Sequence, residues 1–354
     1  MNIWALLGFA FAAYSVVAND ALQTLGAFIN SNKRLPGWAL FLYAGTVLVI
    51  VFYFGWMQFD GDPSWGRLSN AEKFPVFEVQ WYHVLPAITL VVITRFGLPV
   101  STGFMILSIF ATTAGIEAMV KKSLTAYAFA FALGLGMYAV LAPTVERFIL
   151  RTPDHAQKRV WILLQWLATG YLWAAWLIQD FSHIFVYMPR HLSGAQAMFG
   201  VGLILVFLFF TFLDRGGPVQ KVLLSKTSVT DIRSATIMDF TYASVLALFA
   251  QINNTPMSTT WAFLGLIAGR EFAIATIDKV RSPGATFIIV FKDALKAFIG
   301  LVISIGLALS LPRIAAARRS QSIWSKSRSI RSPRNATVTR LPSAAKTPES
   351  SAAT

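Results

Sequence analysis

The chain has 354 residues, of which 56% are hydrophobic and 13% are charged, and its net charge is +14. Soluble domains hold about 45–50% apolar and ~25% charged residues, so this composition excludes a disordered protein and argues against a soluble globular enzyme. Cysteine is absent, and the four histidines lack the spacing of metal ligands. These counts argue against a disulfide framework, a thiolate nucleophile and a catalytic zinc site.

Long apolar segments fill most of the chain, and no long alternating pattern of strands competes with them. A membrane-spanning helix needs ~20 predominantly apolar residues, and three segments meet this length without interruption: 37–57, 122–148 and 194–213. Ala132 and Gly136 form a pair of small residues that predicts close helix packing. We therefore predict an all-α integral membrane protein. Its apolar segments are 3–30, 37–57, 81–119, 122–148, 159–192, 194–213, 237–277 and 283–312.

Four of these segments are interrupted by polar or turn-forming residues. Two interruptions are pairs of an amide and an acid, and two contain proline followed by serine and threonine. The first kind predicts broken helices, and the second predicts re-entrant hairpins. The interruptions are Asn19-Asp20, residues 97–103, Gln179-Asp180 and residues 253–260.

The order of whole and interrupted segments occurs twice. Pro99-Val100-Ser101-Thr102 returns 157 positions later as Pro256-Met257-Ser258-Thr259. With re-entrant hairpins, each half crosses the membrane three times, and this odd number inverts the second half. The predicted fold is therefore an inverted-repeat transporter. Its predicted parts are a first half (1–148), a linker (149–158), a second half (159–312) and a disordered basic tail (313–354).

Positive charge is concentrated in the tail, where residues 313–354 hold nine basic residues and one acid. We expect this segment to attract anionic lipid, and we expect no nucleic-acid partner. The loops hold twelve basic residues on one side and five on the other, which places the N-terminus outside. The same arrangement places the tail outside, so the two charge patterns disagree and leave the orientation open. The five basic residues of the outer loops are Arg67, Lys73, Lys121, Lys122 and Arg190.

Asp20 and Asp180 are acids inside apolar segments, where a carboxylate costs ~2.5–3.5 kcal/mol on insertion scales. Each follows a residue with a side-chain amide. Unwound backbone with a carboxylate and an amide offers oxygen ligands to Na⁺, or a site for a proton. The alternative is that both acids only cap half-helices. The predicted cation-binding residues are Asn19, Asp20 and Gln23 in the first half, and Gln179, Asp180 and Asn254 in the second.

The two Pro-x-Ser-Thr motifs predict an anion site. Serine and threonine at a helix start bring hydroxyls and free backbone N–H groups together, and the helix dipole favours negative charge there. The alternative is that the hydroxyls only cap or bond within their helices. Arg95 precedes the first motif and could offset an anion's charge, extend to the interface or pair with an acid. The predicted substrate-binding residues are Ser101, Thr102, Ser258, Thr259, Thr260 and Arg95.

These motifs resemble those of the inorganic phosphate transporter (PiT) family. The residues Val17-Ala18-Asn19-Asp20-Ala21 resemble its G-A-N-D-V-A-N motif, and the stretches 95–102 and 254–260 resemble its two P-[VI]-S-T-T-H hairpins. The resemblance implies an inverted-repeat fold and cation-coupled symport of phosphate or a similar oxyanion. It places the cation at Asp20 and its mate in the second half, and the anion at the hairpin tips.

Several positions depart from the family pattern. Gly103 replaces a threonine, Phe104 and Trp261 replace histidines, and Gln23 replaces an asparagine. The second cation motif is reduced to Ile178-Gln179-Asp180-Phe181-Ser182-His183. These departures concern the substrate more than the fold, so sulfate or bicarbonate stays open as an alternative to phosphate.

The predicted function is therefore symport of an inorganic oxyanion driven by Na⁺ or H⁺. An uncoupled anion channel or facilitator on the same fold is the alternative, and Asp20 distinguishes the two because it predicts dependence on a cation. A membrane enzyme is disfavoured because its motifs and a nucleotide-binding loop are absent. We expect no cofactor, Na⁺ as the only metal and a prokaryotic plasma (inner) membrane. The expected partners are a small inorganic anion and membrane lipids, with a homodimer left open.

Overall fold

A computed structural model describes residues 1–95, 100–141, 152, 159–214, 232–277 and 282–331. Within these ranges the regular structure is helical and no strand occurs, which confirms the predicted all-α class. The ten helices are α1 (Ile3–Ser31), α2 (Gly37–Gln58), α3 (Trp81–Arg95), α4 (Thr102–Leu107), α5 (Thr113–Leu141), α6 (Arg159–Phe185), α7 (Gly194–Leu213), α8 (Ile232–Ile252), α9 (Thr259–Ile277) and α10 (Pro283–Arg331).

Seven of the described helices are long and apolar enough to cross a membrane, and the bent helix α1 makes an eighth if its two parts form one span. Large apolar side chains cover their outer faces, where Phe54, Met198 and Phe210 are each more than half exposed. Such extensive apolar faces are stable against lipid and not against water. The chain is therefore an integral membrane protein, as predicted. The seven helices are α2 and α5 to α10.

The two predicted broken helices differ. Helix α1 bends by 49° between residues 3–19 and 23–31, where the sequence predicts a break. Helix α6 is continuous through Gln179 and Asp180, so the break predicted there was wrong. Both side chains are fully buried and form hydrogen bonds with neighbouring helices: Gln179 donates to the carbonyl of Leu246, and Asp180 accepts from Thr259. Because each side chain has a hydrogen-bond partner on a neighbouring helix, the backbone of α6 has no need to unwind to supply one.

The two predicted hairpins also differ in size. In the first, α3 has 15 residues and α4 has six, and the connecting residues 96–99 lie outside the described ranges. In the second, α8 has 21 residues and α9 has 19, and each is long enough to cross the membrane alone. In both halves a new helix begins at the threonine of the proline-serine-threonine motif, at Thr102 and at Thr259.

Helices α1 and α6 pack against each other at the centre. Helix α3 packs on α1, and helix α8 packs on α6. Helices α5 and α9 form the most extensive pair, because glycines remove the side chains between them. A Cβ atom added at Gly134 would overlap the carbonyl of Leu266, and one at Gly269 would overlap the carbonyl of Phe131. Gly136 faces open space, so the packing predicted for it was wrong.

The C-terminal part departs from the predicted tail. The first compact unit ends at Leu311 and the second begins at Pro312. Helical backbone nevertheless continues to Arg331, whereas we predicted disorder from residue 313. Residues 313–319 consist of alanine, arginine and one isoleucine, and alanine and arginine have high helix propensity. Residues 332–354 and the predicted linker, apart from Thr152, lie outside the described ranges, so these domain limits stay predictions.

Candidate functional site

The two Ser-Thr segments, defined as residues 100–104 and 257–261, meet in the interior. Phe104 and Trp261 occupy equivalent positions in them, and their ring centroids are 5.6 Å apart in an edge-on arrangement. The serine and threonine side chains of both segments are almost fully buried. Residues 157 positions apart in the sequence therefore contribute to one interior region.

One turn of α6 contacts both segments. The Thr102 hydroxyl lies 3.4 Å from Nδ1 of His183, and the Thr259 hydroxyl donates to a carboxylate oxygen of Asp180 at 3.2 Å. The same nitrogen of His183 lies 3.6 Å from the other carboxylate oxygen of Asp180. The site on α6 is therefore an acid and an imidazole, each beside the threonine of one segment.

The bend of α1 also reaches both segments. The Asn19 amide donates to the carbonyl of Val100 at 3.4 Å, and the Gln23 amide donates to the hydroxyl of Thr260 at 3.5 Å. Asp20 lies in α1 between these two residues, and its side chain lies outside the described part of the chain. Three predicted site residues, Asn19, Gln23 and Thr260, are thus placed at the centre.

The serines serve as helix caps. The hydroxyl of Ser101 accepts from the backbone N–H of Phe104, and that of Ser258 accepts from the N–H of Trp261, both at 3.2 Å. This geometry is the capping role that was the alternative to anion binding. The next residues, Thr102 and Thr259, contact α6 instead, so the serines and the threonines of the motif have different partners.

His183 is a site residue that the sequence did not identify. It is fully buried, and its ring lies where a side chain at Gly103 would have to be: a Cβ there would be 2.7 Å from Nε2. A threonine at this position would leave no room for the imidazole where it lies. The departure at Gly103 and the i, i+3 spacing of Asp180 and His183 were the available signals.

Three basic residues bond to the turn before the second segment or to α6 beside it. The ammonium of Lys122 donates to the carbonyls of Asn253 and Thr255, both at 2.8 Å, and Lys73 donates to the hydroxyl of Thr255 at 3.2 Å. Arg67 donates to the carbonyl of Ile178 in α6 at 2.6 Å. All three belong to the basic residues assigned above to the outer loops. The side chain of Arg95 lies outside the described part of the chain.

The cation-binding residues predicted in the second half do not form a cage. Asn254 is exposed, whereas Asp180 is fully buried, and the amide of Gln179 is directed to a carbonyl of α8. No group of three or more histidine, aspartate or glutamate residues in the described ranges could hold a metal ion. The second half therefore offers a buried carboxylate on the turn of α6 to which Arg67 is also bonded.

Several buried nitrogen atoms here have no hydrogen-bond partner in the described structure: Nε2 of His183, Nε1 of Trp261 and Nη1 of Arg67. The indole and guanidinium nitrogens are always donors, and the imidazole nitrogen is a donor in one tautomer. A buried donor without a partner costs ~1–3 kcal/mol. Because a bound oxyanion would accept from such donors, this arrangement suits an anion.

This chain is similar to a known protein in its fold, and not in its sequence. No protein-family model and no curated protein sequence matches this chain. Among solved structures, it is similar to one described as "The sodium-dependent phosphate transporter", with a TM-score of 0.59, covering 88% of this chain and 98% of that chain. The identity is 14%. The resemblance to the inorganic phosphate transporter family is thus confirmed at the level of architecture, and this integral membrane protein has the helical fold of that transporter.

Proposed function

We propose that this protein is a secondary active transporter that carries phosphate or a similar inorganic oxyanion together with Na⁺ or H⁺. The observation that carries the proposal is the convergence of both Ser-Thr segments on the bend of α1 and on one turn of α6. A transporter binds its substrate near the membrane midplane, where interrupted helices of two halves meet. The sodium-dependent transporter of the same fold supports this assignment.

The proposed architecture is an inverted repeat with re-entrant hairpins. Equivalent elements have equivalent neighbours: α3 packs on α1 as α8 packs on α6. Helix α9, which follows the second Ser-Thr segment, packs on α5. In the first half, the Ser-Thr segment and α4 contact α10: Gly300 leaves room for Val100, and Ser304 contacts Met105. These pairings support two copies of one structural unit. Insertion in a prokaryotic plasma membrane and assembly into a homodimer stay predictions.

The proposed anion site lies between Thr102, Thr259, His183 and Trp261. An oxyanion that leaves water must recover its hydrogen bonds, because each unmet bond costs ~1–3 kcal/mol. One segment offers only a few donors. Two opposed segments with an imidazole and an indole N–H offer donors on several sides, which is what a tetrahedral anion needs.

The proposed cation site is the bend of α1 at Asp20, between the amides of Asn19 and Gln23. Because these two amides also contact the two Ser-Thr segments, a cation and an anion would bind next to each other. Opposite charges at adjacent sites stabilise one another, so each ligand raises the affinity for the other. This mutual stabilisation is the basis for symport.

The experiment is uptake of labelled phosphate, sulfate and bicarbonate into proteoliposomes, with a Na⁺ gradient, with a pH gradient and with neither. We expect phosphate to accumulate against its own gradient only when a cation gradient is present. Uptake that merely equilibrates the anion, independent of both cations, would identify an uncoupled channel. Accumulation of sulfate or bicarbonate in preference to phosphate would change the cargo and keep the mechanism.

The threonines provide the matching variants. Thr102→Val and Thr259→Val each remove a hydroxyl with little change of shape, and each should raise the half-saturating anion concentration about tenfold, equivalent to ~1.4 kcal/mol. Thr125→Val is the control, because the exposed Thr125 only bonds to the carbonyl of Lys121 within α5. Unchanged affinity in both site variants would remove the anion from this position.

A further inference from the structure

The loop between α2 and α3, residues 59–80, delivers a buried arginine to the central site. Trp65 and Gly66 have positive φ angles of 57° and 68°, which turn the backbone just before Arg67. The ring of Trp65 packs beside Gly55 and Phe59, which fixes the turn. The side chain of Arg67 is only 3% exposed although it comes from a loop.

Arg67 is attached to the same turn of α6 that carries Asp180 and His183. Its Nε donates to the carbonyl of Ile178 at 2.6 Å, two residues before Asp180. Burial lowers the pKa of Arg67 to about 10, and the carboxylate of Asp180 acts in the opposite direction by favouring the charged form. At neutral pH the guanidinium is charged and lies within the field of this acid.

The hydrogen bond of Nε leaves Nη1 of Arg67 unused. Nη1 is buried and has no hydrogen-bond partner among the described residues. An arginine fork that is held by one nitrogen and attracted to a carboxylate can present another nitrogen to an anion in fixed geometry. The Thr259 hydroxyl, which bonds to Asp180, belongs to the proposed anion site.

A guanidinium beside Asp180 disfavours a second cation at this place. A buried carboxylate needs one positive partner, and a second cation beside the guanidinium would be repelled at low effective dielectric constant. The sequence predicted a mobile cation at Asp180, in analogy to Asp20. In the structure, a cation that belongs to the chain already occupies the surroundings of this acid.

We propose that Arg67 is the resident cation of the anion site: it neutralises Asp180 in place of a mobile coupling ion and presents Nη1 to the bound oxyanion. The inference rests on the proposed function, and it assigns a binding residue to the anion site. Asp180 then needs no mobile cation, which leaves the proposed coupling cation to Asp20.

The experiment measures binding of labelled inorganic phosphate, with sulfate in parallel, to the purified full-length protein over a range of Na⁺ concentrations. Arg67→Gln should weaken anion binding at least tenfold and make it more steeply dependent on Na⁺, because the uncovered Asp180 now takes a mobile cation. The double variant Arg67→Gln with Asp180→Asn should return to the wild-type Na⁺ dependence while the affinity stays low. Arg67→Lys keeps the charge, so it should weaken binding without changing the Na⁺ dependence.

Arg190→Gln is the matched control. Arg190 is also a loop arginine with unpartnered guanidinium nitrogens, but it lies beside Phe74 and Asp62, and its removal should leave anion binding unchanged. Wild-type affinity and Na⁺ dependence in Arg67→Gln would overturn the role of Arg67 alone. A wild-type protein that binds neither anion would overturn this role and the proposed function together. If Arg67→Gln fails to fold, the double variant and Arg67→Lys decide, and wild-type binding in both overturns the proposal.

Discussion

The two Ser-Thr segments share a motif but are held differently. The first, residues 100–104, has its described contacts with the central helices α1 and α6 and with α10. The second, residues 257–261, follows a turn in which Asn253 and Thr255 accept hydrogen bonds from two lysines. It also receives a hydrogen bond from Tyr242 to the carbonyl of Thr259, and Ser258 donates its N–H to Ser123.

This difference teaches that a shared Ser-Thr motif does not imply that two segments are held by the same interactions. The turn that precedes the second segment is anchored by charge-assisted bonds from Lys122 to its backbone carbonyls, and such bonds are about twice as strong as neutral ones. The first depends on close packing, because the imidazole of His183 fills the space that Gly103 leaves open. Variants that remove the anchor of one segment or the packing of the other test whether the two differ in this way.

The largest effect is expected from Lys122→Met. Lys122 is only 6% exposed and its ammonium bonds to two carbonyls, and hydrogen bonds of charged donors contribute ~1.5 kcal/mol or more each. We expect the free energy of unfolding in mixed micelles to fall by about 3 kcal/mol. Lys121→Met is the control, since Lys121 is exposed and should change stability by less than ~0.5 kcal/mol. Equal stability of both variants would mean that the second segment is not anchored here.

A smaller effect is expected from Gly103→Ala. The added Cβ would lie 2.7 Å from Nε2 of the buried His183, and overpacking of a core costs ~1–3 kcal/mol. The temperature of thermal unfolding and the anion affinity should both fall. Gly136→Ala, with open space around the new methyl group, should not destabilise the protein. Combining Gly103→Ala with His183→Ala should recover stability relative to His183→Ala alone; failure to do so would separate the glycine from the histidine.

The smallest effect is expected from the two caps. Ser101→Ala and Ser258→Ala each remove one capping bond of 3.2 Å, and loss of a cap costs about 1 kcal/mol. Because the second segment retains its lysine anchors, Ser258→Ala should leave anion affinity closer to the wild-type value than Ser101→Ala. The reverse order in an uptake assay would contradict the comparison between the segments.

The sequence predicted the motif-bearing elements well and the charged contacts poorly. Apolar length predicted the membrane helices, and two polar motifs at a fixed offset predicted that residues 101–102 and 258–260 would meet. Such a repeat can be recognised in the sequence because both copies keep the same residue types. The bend of α1 was predicted because the polar pair Asn19-Asp20 interrupts an apolar segment.

The contacts of Arg67 and Lys122 could not be predicted. A basic residue in a loop or near a helix end usually lies in water, and nothing local in the sequence indicates that a backbone turn at Gly66 directs Arg67 inward. The continuity of α6 was missed because Gln179 and Asp180 bond to Leu246 and Thr259, which are distant along the chain. Such compensation is a property of the packed helices and not of the segment.

The glycine contact between α5 and α9 has a mechanical consequence. At Gly134 and Gly269 the two helices are in backbone contact, and the rings of Phe131 and Phe272 pack across the same pair with centroids 5.7 Å apart. Because packing this close resists rearrangement, we expect α5 and α9 to move together in the proposed transport cycle, with the second Ser-Thr segment at the start of α9. The bend of α1 is then the place where we expect the central helices to flex, since the path of a central helix already changes direction there.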